Sequence, residues 1–376
     1  MQKATLVTII SDQTIQSVQF IKENNGIHNF IFVTTEKMES KGCSDWIIKA
    51  CGLNEDSITR LKVNEFDLDD IQSKLLTVTD NKNEYLVNIT GGTKIMSFGV
   101  KDFFEKLGNS KIFYLTGINS TSICLFPTNQ KDSFKLNYKI SLSEYLNSYG
   151  INILNAEKIN NLVKESNKTA ILYENFTNDK MKFVSVVRDY YQEDKKRKEK
   201  GFGIDEISDL DTDLKSIGFI PKTAGKLDKK ELEYITGKWL EEYVYNLVKE
   251  NLGLSDEFIG IGLLLQKDSV ANTNNDFDVM FIWNNELYII ECKTSHYVSS
   301  KSNLTDYIYK LDALRKDFGI FPKAYIMTLS NLPVRKNELD QIQSRLKFHN
   351  IHLLTHQESL IKNQENLQNW LQIFKK

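Results

Sequence analysis

Two rhythms of apolar and polar positions alternate along the first 140 residues. Short runs rich in β-branched and aromatic residues, Ala4–Ile10, Asn29–Thr34, Glu84–Thr90 and Lys111–Gly117, read as buried strands. Between them, Phe66–Val78 and Thr93–Leu107 carry apolar residues at helical spacing. Strands alternating with helices predict an α/β fold: a parallel, Rossmann-like sheet with helices on both faces. Ser122–Thr128 and Phe134–Ile140 predict two closing strands. Residues 141–226 then lose the alternation. SLSEYLNSYG opens with the Ser-x-x-Glu of a capped helix, and Asp189–Gly203 mixes both charge signs like a solvated helix end and loop. This stretch reads as a mostly helical connector.

From about Leu227 the order is legible again. Glu231–Asn251 is a long amphipathic helix, followed by three strands at Phe258–Gln266, Phe277–Trp283 and Glu286–Thr294. Next come a helix near Thr305–Asp317, a strand Lys323–Leu329, a helix near Lys336–His349, a strand Ile351–Thr355 and a last helix. The predicted division is 1–140, 141–226 and 227–376.

Composition narrows the class without naming a function. Of 376 residues, 41% are apolar and 26% charged, as in ordinary globular protein, and the longest apolar run is only Phe258–Leu265. A membrane span needs ~20 apolar residues. MQKATLVTII runs into a polar SDQT without a small-residue cleavage site, so it reads as a first strand in a cytoplasmic protein and not as a signal peptide. The four cysteines are scattered with no C-x-x-C, which argues against a disulfide framework or a zinc site. Net charge is −2, so any contact with nucleic acid must come from local patches or a metal.

The chemistry concentrates in NDFDVMFIWNNELYIIECKTS, residues 275–295, where Asp278, Glu291 and Lys293 interrupt apolar strands. A hairpin turning at Asn284–Asn285 sets Trp283 against Glu286 and hence Asp278 against Glu291, since asparagine tolerates the positive φ of a tight turn. Opposed residues on one face lie roughly 4.5–5.5 Å apart, and Lys293, two residues beyond Glu291, shares that face. Two facing carboxylates repel, and a magnesium or manganese ion removes that cost. A lysine beside the ion can orient water and stabilise charge building on phosphorus. The pattern D-x12-E-x-K therefore suits a metal-assisted phosphodiesterase, though alone it also fits a charged sheet surface. The apolar flanks, the helix-then-three-strands order and Glu241, in Gly237-x-x-x-Glu241-x-x-Val244, favour the catalytic reading.

A second motif is NITGGTKIM, Asn88–Met96, at a strand-to-helix junction. Gly91 and Gly92 let backbone approach a ligand, while Thr90, Thr93, Lys94 and the free N–H groups of the first helical turn suit a phosphate. It is neither a Walker A loop nor G-x-G-x-x-G, and a tight strand–helix turn explains it equally well. Two further polar loops follow strands on the same side of the sheet: Ser11, Asp12, Gln13 and Thr14, and the loop opened by Thr34. Ligands of open parallel sheets bind at such carboxyl ends.

Residues 230–330 resemble the PD-(D/E)xK nuclease superfamily, whose core is αβββαβ. That resemblance implies metal binding by Asp278 and Glu291, water assistance by Lys293, the helical glutamate at Glu241 with Glu242 as its alternative, and a further metal ligand in the Cys292 carbonyl. Asp276 is either a second-layer partner or a polar strand start. The combination of T-G-G-T-K in front with D…E-x-K behind resembles the CARF-domain effector nucleases of type III CRISPR systems. It implies a homodimer that binds a cyclic oligoadenylate, usually cyclic tetra-adenylate, across its two-fold axis and then cuts single-stranded DNA, single-stranded RNA or both with Mn2+ or Mg2+. The implied ligand residues are those of the loops at 11–14, 34 and 90–94. His296, Lys310 and Arg315 are secondary candidates for substrate phosphate, and Trp283 and Tyr288 for base stacking. His352 and His356 read as packing or surface residues. Two rival readings are a constitutive restriction- or repair-type endonuclease and a non-catalytic ligand-sensing regulator.

Overall fold

The computed structural model describes residues 4–117, 121–128, 133–155, 166–268, 274–294, 302–320, 322–329, 336–356, 364–372 and 374. The front sheet holds five parallel strands, β1 (Ala4–Ile9), β2 (Asn29–Thr34), β3 (Ile58–Lys62), β4 (Glu84–Asn88) and β5 (Ser110–Leu115). Antiparallel β6 (Thr121–Phe126) and β7 (Phe134–Lys135) close it, in the order β3-β2-β1-β4-β5-β6-β7. The order reverses between β1 and β4, which opens a crevice at their carboxyl ends.

Both faces of this sheet are buried, which is why its central strands β1, β2 and β4 are largely apolar. Val7, Ile9 and Val33 pack under helices Leu68–Val78 and Lys94–Leu107 through Ile71, Val100 and Phe104. On the other face Leu6, Ile10 and Phe32 meet Phe20 and Ile47 of helices Thr14–Glu23 and Cys43–Cys51. That second core runs without a break into the C-terminal domain, to Phe277, Ile282 and Leu287.

The strand expected over Phe134–Ile140 stops after two residues. The backbone beyond it is taken by other partners. Asn137 and Tyr138 donate their N–H groups to Glu23, while Tyr138 O and Ile140 N–H bond the side chain of Asn285.

The connector is more than helix. A capping box between Ser141 and Glu144 opens helix Leu142–Asn147, and Glu144 also receives Lys22 at 2.7 Å. After Gly150 the chain forms β8 (Ile151–Ile153), an edge strand of the second sheet, paired with β11 (Ile259–Lys267). Helices Ser166–Thr177 and Phe183–Glu193 then bury Leu172, Phe176, Val184 and Val187 against Trp239, Leu240 and Val244. A small hairpin of β9 (Phe202–Gly203) and β10 (Lys226–Leu227) precedes the second domain.

In that domain β12 (Asn274–Trp283) and β13 (Glu286–Lys293) form an antiparallel hairpin beside β11. Strands β14 (Lys323–Thr328), β15 (Ile351–Thr355) and β16 (Gln364–Asn366) extend it in parallel, giving β16-β15-β14-β13-β12-β11-β8. No helix among the described residues is long and apolar enough to cross a membrane.

The bend into β8 is tight. Gly150 has φ +67°, and a Cβ there would lie 2.4 Å from the Trp46 indole. Gly150→Ala should therefore lose about 2–4 kcal/mol, read as a lower urea midpoint at unchanged slope. An unchanged midpoint would show that the indole simply moves aside.

Candidate active site and ligand loop

The β12–β13 hairpin turns through two residues with positive φ, Asn284 at 51° and Asn285 at 62°. This primed turn matches the strand twist. It produces the expected register, Trp283 opposite Glu286 through Val279 opposite Ile290, and the next position along is Asp278 opposite Glu291.

The three charged side chains meet. Lys293 Nζ lies 2.7 Å from Glu291 Oε1 and 3.5 Å from Asp278 Oδ2, so the ammonium bridges the two carboxylates. Asp278 Oδ2 also accepts the Cys292 N–H at 2.6 Å. That N–H is the Cys292 group seen at Asp278, while burial drives the thiol pKa well up.

Crowding shows in the protonation of these groups. Burial, then Glu291 beside it, pushes Asp278 up to about 6, against the pull of Lys293 and the Cys292 N–H. Glu241, on helix Trp239–Leu252, is pushed up to about 8 by burial and by Asp278, against Lys238 and Lys293. Burial opposes the charge on Lys293, but Asp278 and Glu291 outweigh it and raise its pKa. Asp276 is exposed and acts on Lys238.

Among the described residues no three Asp, Glu, His or Cys side chains already form an ion cage. The donor set still fits a hard divalent cation. Asp278 and Glu291 meet at one ammonium, which stands between them as a cation would, and burial with a neighbouring carboxylate holds Asp278 and Glu241 above their ordinary range.

A π-helical turn, Tyr234–Lys238, leads into the Glu241 helix. Such turns interrupt the regular carbonyl pattern and recur at functional sites. Here Thr236 O accepts both Thr294 Oγ1, at 2.7 Å, and Arg188 Nη2. A Cβ added at Gly237 would meet Thr294 Oγ1 at an ordinary 3.7 Å, so this contact does not depend on the glycine. Arg188 also donates to Thr294 Oγ1 at 3.0 Å. Sequence reasoning missed this arginine. The signal was a charge four residues after Val184 on the buried face of an amphipathic helix.

The secondary candidates divide. Tyr288 is buried and stacks on Phe281 with centroids 4.7 Å apart, so it is packing and not a base platform. Trp283 is half-buried against Phe374, Arg315 is held by Asp312 and Asn350 O, and Lys310 is exposed. His352 stacks on Tyr325. His296 lies outside the described residues.

In the front domain, the loops after β1 and β4 meet at the crevice. Gly91 and Gly92 are demanded by packing, because a Cβ on either would come within 2.5 Å of Ile9. Thr90 Oγ1 bonds Asn88 and takes the Leu115 N–H, and Thr93 caps helix Lys94–Leu107 while donating to Glu65 O. Lys94 and Gly92 are exposed. Asp12 is exposed and paired with Lys41, and Ser11 Oγ accepts the Gln13 N–H. Thr34 is buried on Glu39.

Two expected ligand residues face the other way. Thr14 is buried with its hydroxyl on Ser148 O. Gln13 Oε1 accepts Tyr149 OH at 3.3 Å and the Ile320 N–H at 3.2 Å. A cleft of about 710 Å³ runs along this seam, lined by Gln13, Gln16, Lys139, Phe258 and Asn285, away from the triplet.

Residues 5–145 match the family described as the Card1 CARF domain, and residues 228–374 match the Card1-like endonuclease domain. No curated protein matches the sequence. Among solved structures, Can2 from Sulfobacillus thermosulfidooxidans in complex with cyclic tetra-adenylate is 20% identical with a TM-score of 0.71, covering 93% of this chain and 95% of that one. Protein VC1899 from Vibrio cholerae is 18% identical with a TM-score of 0.73, covering 99% and 98%. A type III CRISPR defence DNA nuclease activated by cyclic oligoadenylate is 13% identical with a TM-score of 0.58, and the chain spans 51% of its length. At these identities the likeness is one of fold.

The raised carboxyls set a pH dependence. A group that binds its proton more tightly when folded destabilises the fold as pH rises past its unfolded value. In ion-free protein, stability should fall as pH rises from the ordinary carboxyl range near 4 through about 6 for Asp278 and about 8 for Glu241. Glu241→Gln should flatten the upper part of that decline. Manganese should raise Tm more at pH 8 than at pH 5. A Tm gain equal at both pH values would separate ion binding from these carboxylates.

Proposed function

Because the chain belongs to the CARF-domain effector nucleases of type III CRISPR systems, we propose that it is a nuclease switched on by a cyclic oligoadenylate, with cyclic tetra-adenylate as the activator. The observation that carries the reading is the Asp278–Lys293–Glu291 contact, a D…E-x-K triplet closed on one sheet face. Asp278, Glu291 and Glu241 would hold Mn2+ or Mg2+, with the Cys292 carbonyl as a further ligand. Such an ion, when bound, supplies an activated water and neutralises charge on the phosphate. Lys293 orients that water's site and offers its proton-donating ammonium to the oxygens around phosphorus. The substrate is single-stranded DNA, RNA or both, and the working form is a cytoplasmic homodimer with one ligand shared by two CARF domains.

The ligand would lie over the β1/β4 crevice, met by Ser11, Asp12, the Gly91–Gly92 backbone, Thr93 and Lys94. Gln13 supports a route from there to the nuclease, because its backbone sits in the ligand loop and its side chain holds Ile320 of the C-terminal domain. Two sites that bias one shared contact are what an allosteric switch requires.

Cleavage of labelled single-stranded DNA and RNA with manganese, with and without cyclic tetra-adenylate, tests this reading. Cleavage is expected only with the nucleotide, and Lys293→Ala should lower it about 100-fold or more. Equal cleavage without nucleotide would keep the active site and remove the sensor. Gln13→Ala should leave nucleotide affinity within about twofold but reduce the stimulation of cleavage several-fold; full stimulation would move the coupling elsewhere.

A further inference from the structure

Arg188 has no part in the D…E-x-K pattern, yet it bonds the residue that follows it. Helix Phe183–Glu193 of the connector carries it to the end of β13, where Nη2 donates to Thr236 O and to Thr294 Oγ1, the residue after Lys293. Tyr307 lies near both cations: Lys293 Nζ is 5.0 Å from its ring centroid, and Arg188 feels it electrostatically, after Asp189.

What Arg188 lacks is an anion in contact, since Asp189, next in sequence, acts on it only from a distance. Among the described residues no carboxylate forms an ion pair with it, and no acceptor takes its Nε or Nη1 hydrogens. Partly buried charge without a partner is expensive. Gripping one carbonyl and one hydroxyl through a single nitrogen does not require a guanidinium. The remaining donors suit an oxyanion, and a guanidinium pairs with phosphate oxygens through charge-assisted bonds.

We propose that Arg188 is a substrate-phosphate ligand of the active site, delivered from the connector and aimed by the Thr236 carbonyl and the Thr294 hydroxyl. Its Nε and Nη1 groups bind a non-bridging oxygen of the nucleic-acid backbone next to Lys293. This rests on the nuclease reading above and names a contact that the motif does not contain. The π turn gains a purpose: it presents the carbonyl that fixes the guanidinium's direction.

The test uses full-length protein with cyclic tetra-adenylate and labelled 20-nucleotide single-stranded DNA and RNA. Arg188→Gln keeps a donor for Thr236 O but removes the charge. It should lower single-turnover cleavage about 100-fold while leaving nucleotide affinity and Tm near wild type. In a Lys293→Ala background, oligonucleotide affinity should lose about 0.7 from its slope of log K against log salt when Arg188→Gln is added, the value for one phosphate contact on a single strand. A structural staple would not move that slope. Cleavage within twofold of wild type, or an unchanged slope, would overturn the proposal and leave the nuclease reading intact. Wild-type protein that cleaves neither strand would instead overturn the nuclease reading, with the salt slope still deciding on Arg188. Should Arg188→Gln not fold, Arg188→Lys takes its place: the charge stays, so the slope holds, while loss of the fork lowers cleavage at least tenfold. A slope and a rate both equal to wild type in that variant would overturn the proposal as well.

Discussion

A two-residue turn is the constraint on which the Asp278–Glu291–Lys293 geometry depends. Asn284 and Asn285 both sit at positive φ, which fixes the hairpin at two residues and leaves one pairing register. A slip by one position would carry Asp278 to the other face of the sheet. Only in this register do Asp278, Glu291 and Lys293 close on each other. The same turn is held from outside, because the Asn285 amide bonds both Tyr138 O and the Ile140 N–H at the end of the front domain. The residue that registers the triplet is thus also a docking point for the front domain.

Much of this was legible in the sequence because the signals were local. The Asn-Asn turn, strand alternation and three misplaced charges suffice to place the triplet. The parallel front sheet followed equally from apolar runs set between amphipathic helices. What escaped was non-local. Strand β3, with Arg60 and Lys62 among its five residues, sits at an edge and carries too little apolar character to stand out. Phe134–Ile140 had strand composition, but Glu23 and Asn285 took its backbone groups.

The loops of the front domain show the same limit. Spacing located them at one end of the sheet, and the reversal of strand order between β1 and β4 explains why they converge. Spacing could not tell which side chains look outward. Thr14 and Gln13 are turned into the protein, because the helix that begins at Thr14 lies on the face covered by the second domain, and Thr34 is turned onto Glu39. Arg188 was missed for a related reason. A single arginine on a helix carries no motif, and its meaning comes from the π turn and Thr294, which lie 48 and 106 residues away in sequence.

Strand β8 bears on how such a protein can be divided. The chain leaves the front domain, lends three residues to the far edge of the nuclease sheet, and only later begins the Glu241 helix. A cut at the start of the endonuclease-like segment would strip β8 away and leave the backbone groups of β11 as a bare edge, a template for aggregation. Grafting a different sensor onto this nuclease would therefore need its junction ahead of Gly150. The exchangeable unit is the nuclease together with its borrowed strand and the connecting helices, so heredity by module swapping would transmit Arg188 along with the triplet.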